Sequence, residues 1–456
     1  VTETQTSATI GKSGEELERL DVRHLVHPHQ SGAVKDRFVI VRGEGSVVWD
    51  ANGVEFLDVS GGGNWIAQVG HGRAELAAAA GEQAGRLGYF SCFFNFSNDK
   101  VVALAERLVS MAPDHLERAF FACGGSEAVE SAMKFARIYH HRTGQPERTW
   151  FISRHYAYHG ANFGSGTATG FPGMHDGIGP HLPNVEKVSP AYAYRVPDML
   201  GEGDPTDLLL RELEETIERI GPGKIAAMIG EPVMGGAGVI APPDDYWPRV
   251  RELLSKHGIL LIADEVVTAF GRTGHWFDST ERGMKPDMIV TAKGLTSGYA
   301  PLGAVLMRDD IAEVAAGEDA YLFHGYTYSG HPVSCAVALA NLDLIEKEGL
   351  VERSALVGEW LREELTPLLE LDCVGDIRVE GATAGVELVV DKATREPIMG
   401  PNVSTELRDR HRVLLRDYGP TLVLSPPLVI ERAQVVAAAQ AIAEVLGRLN
   451  ADGTLR

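Results

Sequence analysis

Two short apolar runs in this sequence end abruptly in charge. Ile259-Leu260-Leu261-Ile262-Ala263 is stopped by Asp264-Glu265, and Met288-Ile289-Val290-Thr291-Ala292 by Lys293. Apolar runs of this length, bounded by breakers, read as strands buried on both faces of a sheet. The flanking stretches alternate strand and helix patterns, which gives an α/β fold with a parallel sheet. In such sheets ligands bind beyond the carboxyl ends of the strands. Asp264 and Lys293 are therefore expected to face one cleft from neighbouring strand ends.

That pair has a chemical meaning. A carboxylate that keeps a ring nitrogen protonated and a lysine that condenses with an aldehyde are the two groups pyridoxal phosphate requires. A phosphate site is also readable. The strand pattern Ala119-Phe120-Phe121-Ala122 runs into Cys123-Gly124-Gly125-Ser126-Glu127-Ala128, and a helix follows to about His141. Free amides at a helix start behind two glycines favour an anion. Ser126 is the expected N-cap, with Val129 where a capping box would need Glu or Gln.

Elsewhere, Val39 to Val59 alternates around Ala51-Asn52-Gly53 and predicts a small antiparallel sheet with a hairpin. Gly61-Gly62-Gly63-Asn64-Trp65 reads as a loop over a pocket or as a linker with a core tryptophan. Phe90 to Phe96 is core or pocket wall, and Asn98 caps a helix to about Met111. Tyr158, after the strand Trp150 to Ser153, can stack on a planar cofactor or simply pack. Residues 161–203 lack periodicity and predict long irregular structure of the kind that is often functional. His27 and His29 flank Pro28 and read as turn histidines rather than metal ligands, because no third ligand is apparent.

The chain divides into a flexible tail (1–14), an N-terminal part of a small α+β domain (15–65), a large cofactor-binding domain (66–335) and a C-terminal part of the small domain (336–456). A net charge of −21 disfavours nucleic acid as a partner. No apolar run has the roughly 20 residues of a membrane span. Four scattered cysteines and a polar start without a signal-peptide core suggest a reducing, cytoplasmic setting.

Taken together, Cys123 to Ala128, Tyr158-His159-Gly160, Glu231-Pro232-Val233-Met234-Gly235, Ala263 to Val266, Thr291-Ala292-Lys293-Gly294 and Tyr326 to Pro332 form an ordered set of motifs. The set resembles the class III pyridoxal phosphate-dependent aminotransferases, and within them the omega-transaminase group of amine–, taurine– and β-alanine–pyruvate enzymes. The resemblance spans about residues 20 to 445. It implies a fold type I transferase, with a large domain of mostly parallel sheet and a smaller α+β domain from both chain ends. It also implies a homodimer, or a tetramer, with sites at the interface.

Carried over, Lys293 is the Schiff-base lysine and Asp264 the partner of the pyridinium nitrogen. Val266 lies under the ring and Tyr158 over it, with His159 and Glu231 nearby. Gly124, Gly125 and Ser126 hold the phosphate, and Thr327 of the second subunit completes that cup. Arg416, before Leu424-Ser425-Pro426-Pro427, binds the keto-acid carboxylate, for which a planar guanidinium is suited. Many ornithine- and GABA-type relatives carry Glu where this chain has Gly236, which argues against their specificity. Trp65, Phe93, Tyr158 and Gly236 are expected to shape an apolar donor pocket.

The implied reaction moves an amino group from an amine or ω-amino acid to pyruvate, forming alanine by way of pyridoxamine phosphate. Diaminopelargonate-type aminotransferases, dialkylglycine decarboxylases and aminomutases share the fold and are alternatives. A catalytically inactive ligand-binding protein is a further one, against which intact Lys293 and Asp264 argue.

Overall fold

The computed structural model describes residues 12–29, 37–400 and 402–456. Most of the expected N-terminal tail, residues 1–11, lies outside these. Ser13 already caps the helix Gly14–His24 by accepting from the Glu16 amide.

Near the N-terminus, β1 (Ile40–Glu44), β2 (Val47–Asp50) and β3 (Glu55–Asp58) form the expected antiparallel hairpins. The large sheet contains β4 (Arg118–Ala122), β5 (Trp150–Arg154), β6 (Val185–Val188), β7 (Ile225–Gly230), β8 (Leu260–Asp264), β9 (Met288–Thr291) and β10 (Gly303–Met307). Its order is β4-β10-β9-β8-β7-β5-β6. Every residue of β7, β8, β9 and β10 is buried, as continuous apolar runs require.

The sheet is parallel from β9 to β6, but β10 is antiparallel to both β9 and β4. This departs from an all-parallel middle, and the reason is length. Residues 292–302 contain only the short turn Lys293–Leu295. A parallel crossover needs a dozen or more residues, usually with a helix. The chain therefore doubles back directly after the lysine.

Residues 161–203 are less irregular than expected. They contain the helices Phe163–Ala168 and Val196–Leu200 and the edge strand β6. Val-Glu-Lys-Val is short and half charged, so no strand signal rose above its Gly- and Pro-rich surroundings.

The C-terminal part adds β11 (Val374–Glu380), β12 (Thr383–Asp391), β13 (Glu396–Pro397), β14 (Val413–Leu414), β15 (Arg416–Tyr418) and β16 (Thr421–Leu424). β14 pairs in parallel with β3, so the two ends of the chain share one ladder. No helix among the described residues is long and apolar enough to cross a membrane. Among them, no group of three His, Cys, Asp or Glu side chains could hold a metal ion. His27 instead donates to Asp21 at 2.8 Å.

The edge pairing β4–β10 brings Gly303 opposite Ala122. A Cβ on Gly303 would lie 2.5 Å from the carbonyl oxygen of Gly124, so only glycine lets the Cys123–Gly124 turn rest on the sheet. Gly303→Ala should cost roughly 1–3 kcal/mol by overpacking. The check is thermal unfolding: a midpoint equal to that of the parent would contradict this close contact.

Candidate active site

Asp264 is the last residue of β8, and Lys293 follows β9 by two residues on the neighbouring parallel strand. Both reach a cleft of about 180 Å³ that is also lined by Trp65, Gly125, Ser126, Tyr158, His159, Glu231, Gly236 and Val266. The two organising runs thus meet as expected.

Asp264 is only 3% exposed. Its Oδ2 accepts from Nδ1 of His159 at 2.7 Å, and its Oδ1 from the Val266 amide at 3.1 Å. An ionised carboxylate has about four acceptor positions, so capacity remains for a donor on the cleft side. His159 is itself buried, and its backbone amide donates to Thr169 Oγ1 at 2.9 Å.

Lys293 carries an amine whose pKa burial lowers to about 8, opposed by Asp264 and Glu231 and reinforced by Arg416 and Arg272. Its Nζ sits 5.1 Å from the Trp65 ring centre. Both residues adopt left-handed backbone, φ 41° for Lys293 and φ 55° for Trp65. For side chains of this size such conformations cost roughly 1–3 kcal/mol each and need outside support. Asn341 provides some of it, donating from Nδ2 to the carbonyls of Gly294 at 2.8 Å and Leu295 at 3.1 Å.

The helix Gly125–Arg142 begins two residues earlier than expected. Gly124, not Ser126, is the N-cap, and no side chain caps this end. Ser126 Oγ accepts from the Ala161 amide at 3.2 Å, which removes it from capping duty. The position three residues in is therefore Glu127, not Val129. The first-turn amides are free for an anion, as a phosphate needs. A Cβ on Gly125 would lie 3.1 Å from both Val266 methyl groups, so the helix start and the floor of the cleft are in contact.

Glu231 uses both carboxylate oxygens on backbone, accepting from the Tyr158 amide and the Gly235 amide at 3.1 Å each. Burial raises its pKa. It positions the segments that carry Tyr158 and Gly236. Glu265 turns away from the cleft. It accepts from the amides of Asp278 at 3.1 Å and Ser279 at 2.6 Å and from the Thr268 hydroxyl. Burial and Asp278 push its pKa up to about 7. Gly236 leaves space: a Cβ there would stand 3.6 Å from Tyr158 and Phe171.

Arg416, on β15, reaches back to the glycine-rich loop. Its Nη1 donates to the Gly63 carbonyl at 2.9 Å and to Oδ1 of Asn64. Its guanidinium lies 5.1 Å from the Tyr418 ring centre. Both acceptors are neutral.

Phe93 and Thr327 are not in this cleft. Phe93 lies against Gly325, where a Cβ would be 3.1 Å from its ring, and Thr327 is exposed with its carbonyl accepting from Tyr89 at 2.9 Å. One chain does not bring them to Lys293.

Sequence reading missed Asn64, Arg154, Phe171, Asn341 and Tyr418. Tyr418 was within reach, because strand residues two apart share a face and Arg416 was already singled out. Arg154 donates to the Glu231 carbonyl at 2.6 Å and lies 5.0 Å from the Trp247 ring centre. As an arginine ending an apolar strand, it gave no signal of burial.

This set fits pyridoxal phosphate. Free helix amides suit the phosphate, Asp264 retains acceptor capacity for a ring N–H, and Val266 and Tyr158 line the cleft. A lysine with lowered pKa is present to meet the aldehyde.

The sequence profile described as aminotransferase class-III matches residues 29–446. Putrescine–pyruvate aminotransferase of Pseudomonas aeruginosa is 38% identical over 407 residues, covering 87% of this chain and 88% of that protein. Diaminobutyrate–2-oxoglutarate transaminase of Halomonas elongata is 35% identical over 435 residues, covering 92% of each. Among solved structures, a thermostable (S)-enantioselective omega-transaminase from Thermomicrobium roseum aligns with a TM-score of 0.91 at 43% identity, covering 95% of this chain and 98% of the other. A lysine and an aspartate on adjacent strand ends, found within a family profile that spans most of the sequence, identify the chain as a member of the class III aminotransferases, fold type I enzymes that use pyridoxal phosphate.

Proposed function

We propose that this aminotransferase moves an amino group from a primary amine or ω-amino acid to pyruvate, releasing alanine. The observation that carries the reading is Arg416. Among the described residues, this guanidinium beside the cleft rests on a carbonyl and an amide oxygen and has no acidic partner. Charge-assisted bonds to a carboxylate are about twice as strong as neutral ones. A small keto acid therefore competes well for it, while an amine without a carboxylate leaves it parked on Gly63 and Asn64.

Bound pyridoxal phosphate supplies an aldehyde that takes up the amine and a ring that draws electrons from the carbon losing its proton. The protein does the rest. Asp264 holds the proton at the ring nitrogen, and His159 holds Asp264. Val266 and Tyr158 fix the plane of the ring. Lys293 Nζ, when not bonded, takes the proton from the amine-bearing carbon of the donor and gives one to the keto carbon of the acceptor. Proton transfer by a placed base contributes typically 10²- to 10⁴-fold.

The reading includes a second copy of the chain, which brings its Thr327 to the phosphate. Phe90, Phe94 and Phe96 are 46%, 84% and 51% exposed, apolar rings of one short segment that a monomer would leave in water. Phe93, on the same surface, would then act as donor-pocket wall for the other subunit.

Three outcomes are expected. Borohydride reduction of cofactor-saturated enzyme should tag Lys293 in peptide mapping, and an untagged Lys293 would overturn the assignment. Arg416→Ala should raise the KM for pyruvate about tenfold or more, since a charged hydrogen bond contributes about 1.5–3 kcal/mol. The KM for 1-phenylethylamine should shift far less, and equal shifts would discard the carboxylate role. Lys293 acts as a base only when neutral, and its pKa is lowered to about 8. The rate at which cofactor-free enzyme takes up pyridoxal phosphate, which needs the neutral amine, should therefore climb with pH up to about 8 and level off above. An uptake rate independent of pH between about 6 and 9 would contradict the role.

A further inference from the structure

The cleft around Lys293 is small. Its roughly 180 Å³ lies below the ~300–1,000 Å³ of ordinary ligand pockets, so a bound cofactor leaves little room beside it. A second cavity of about 530 Å³ adjoins it. The partition between them is thin and aromatic. Phe171 and Tyr418 face the larger cavity, and Tyr158 and Gly236 face the cleft. The ring centres of Tyr158 and Phe171 are 6.4 Å apart, and those of Phe171 and Tyr418 are 6.2 Å apart. Gly236 is the seam in this wall, because its missing side chain would fill the space between Tyr158 and Phe171.

The outer cavity is apolar in effect. Tyr156, Pro190, Met199 and Ile240 contribute to its surface. Its charged members are already matched. Glu387 Oε1 accepts twice from Arg195, at 2.9 and 2.6 Å, and Oε2 accepts from Arg378 at 2.9 Å and from the Tyr192 hydroxyl. Asp198 pairs with Arg195 at 3.3 Å and with Arg395 at 2.9 Å. A second ammonium or carboxylate on a ligand would have to break one of these pairs, whereas an aryl or alkyl group would not.

Resting on the transaminase reading, we propose that this outer cavity receives the distal, uncharged aryl or alkyl end of the amino donor, with Phe171 as the movable panel between it and the reacting amine. Phe171 lies between Gly170 and Pro172 in the segment after the helix Phe163–Ala168, so its ring can turn without disturbing a sheet. A short donor stays within the cleft. A long one passes the Gly236 seam.

The test compares holoenzymes with two donors against pyruvate, 2-aminobutane and 1-(biphenyl-4-yl)ethylamine, and reads the ratio of kcat/KM for the long donor to that for the short one. Phe171→Ala removes the panel and should raise the ratio at least fivefold. Met199→Trp fills the outer cavity and should lower it at least tenfold. Ratios within twofold of the parent for both variants, or a shift in the same direction for both, would overturn the proposal. Calorimetric binding of 1-(biphenyl-4-yl)ethanol, which has no amine to react, gives a readout without turnover. Met199→Trp should weaken it at least fivefold and Phe171→Ala should not. Equal affinities across the parent and both variants would also overturn the cavity assignment. If neither amine yields alanine from pyruvate, the amine–pyruvate reading fails, and the alcohol alone then decides the cavity.

Discussion

Keeping a carboxylate almost out of water is expensive unless donors surround it. Asp264 meets that condition with the Val266 amide on one oxygen and His159 on the other. Each donor is fixed by something further out. Val266 touches the start of the Gly125–Arg142 helix, and His159 is tied through its amide to Thr169. Glu231 holds the residue next to His159 in the same way. The floor of the cleft, the helix start beside it and its aromatic wall therefore depend on one buried negative charge being kept in register.

Lys293 is held by different means. It sits past the end of β9, in a turn too short for a crossover, with its backbone in a conformation that costs energy. Burial of the amine and the strained turn both favour function over stability. They are offset by a sheet whose four central strands are wholly buried and by Asn341 under the turn.

The apolar runs of β7, β8 and β9 were legible because burial on both faces leaves a continuous signature. The charge at the end of each run then placed Asp264 and Lys293. Gly124 and Gly125 were legible as a turn before a helix, although the start of that helix was misplaced by treating Ser126 as a cap. Its hydroxyl bonds to Ala161, far along the chain, and no local pattern encodes that. The antiparallel β10 was hidden for a related reason, since strand direction depends on connection length rather than on the strand's own residues. Phe171 and Asn341 left no trace because each acts across a distance in sequence. Phe93 and Thr327 were readable as special residues, but their surface lies away from the cleft of their own chain.

The ladder between β3 and β14 joins distant parts of the sequence, with Val413 opposite Leu57 and Leu414 opposite Asp58. β3 leads straight into Gly61 to Trp65, and β14 leads straight into Arg416. The arginine and its resting acceptors are thus registered by one pair of strands. Everything between residues 59 and 412 must be made before that ladder can close, so the resting place of Arg416 is set only after the large sheet has been synthesised.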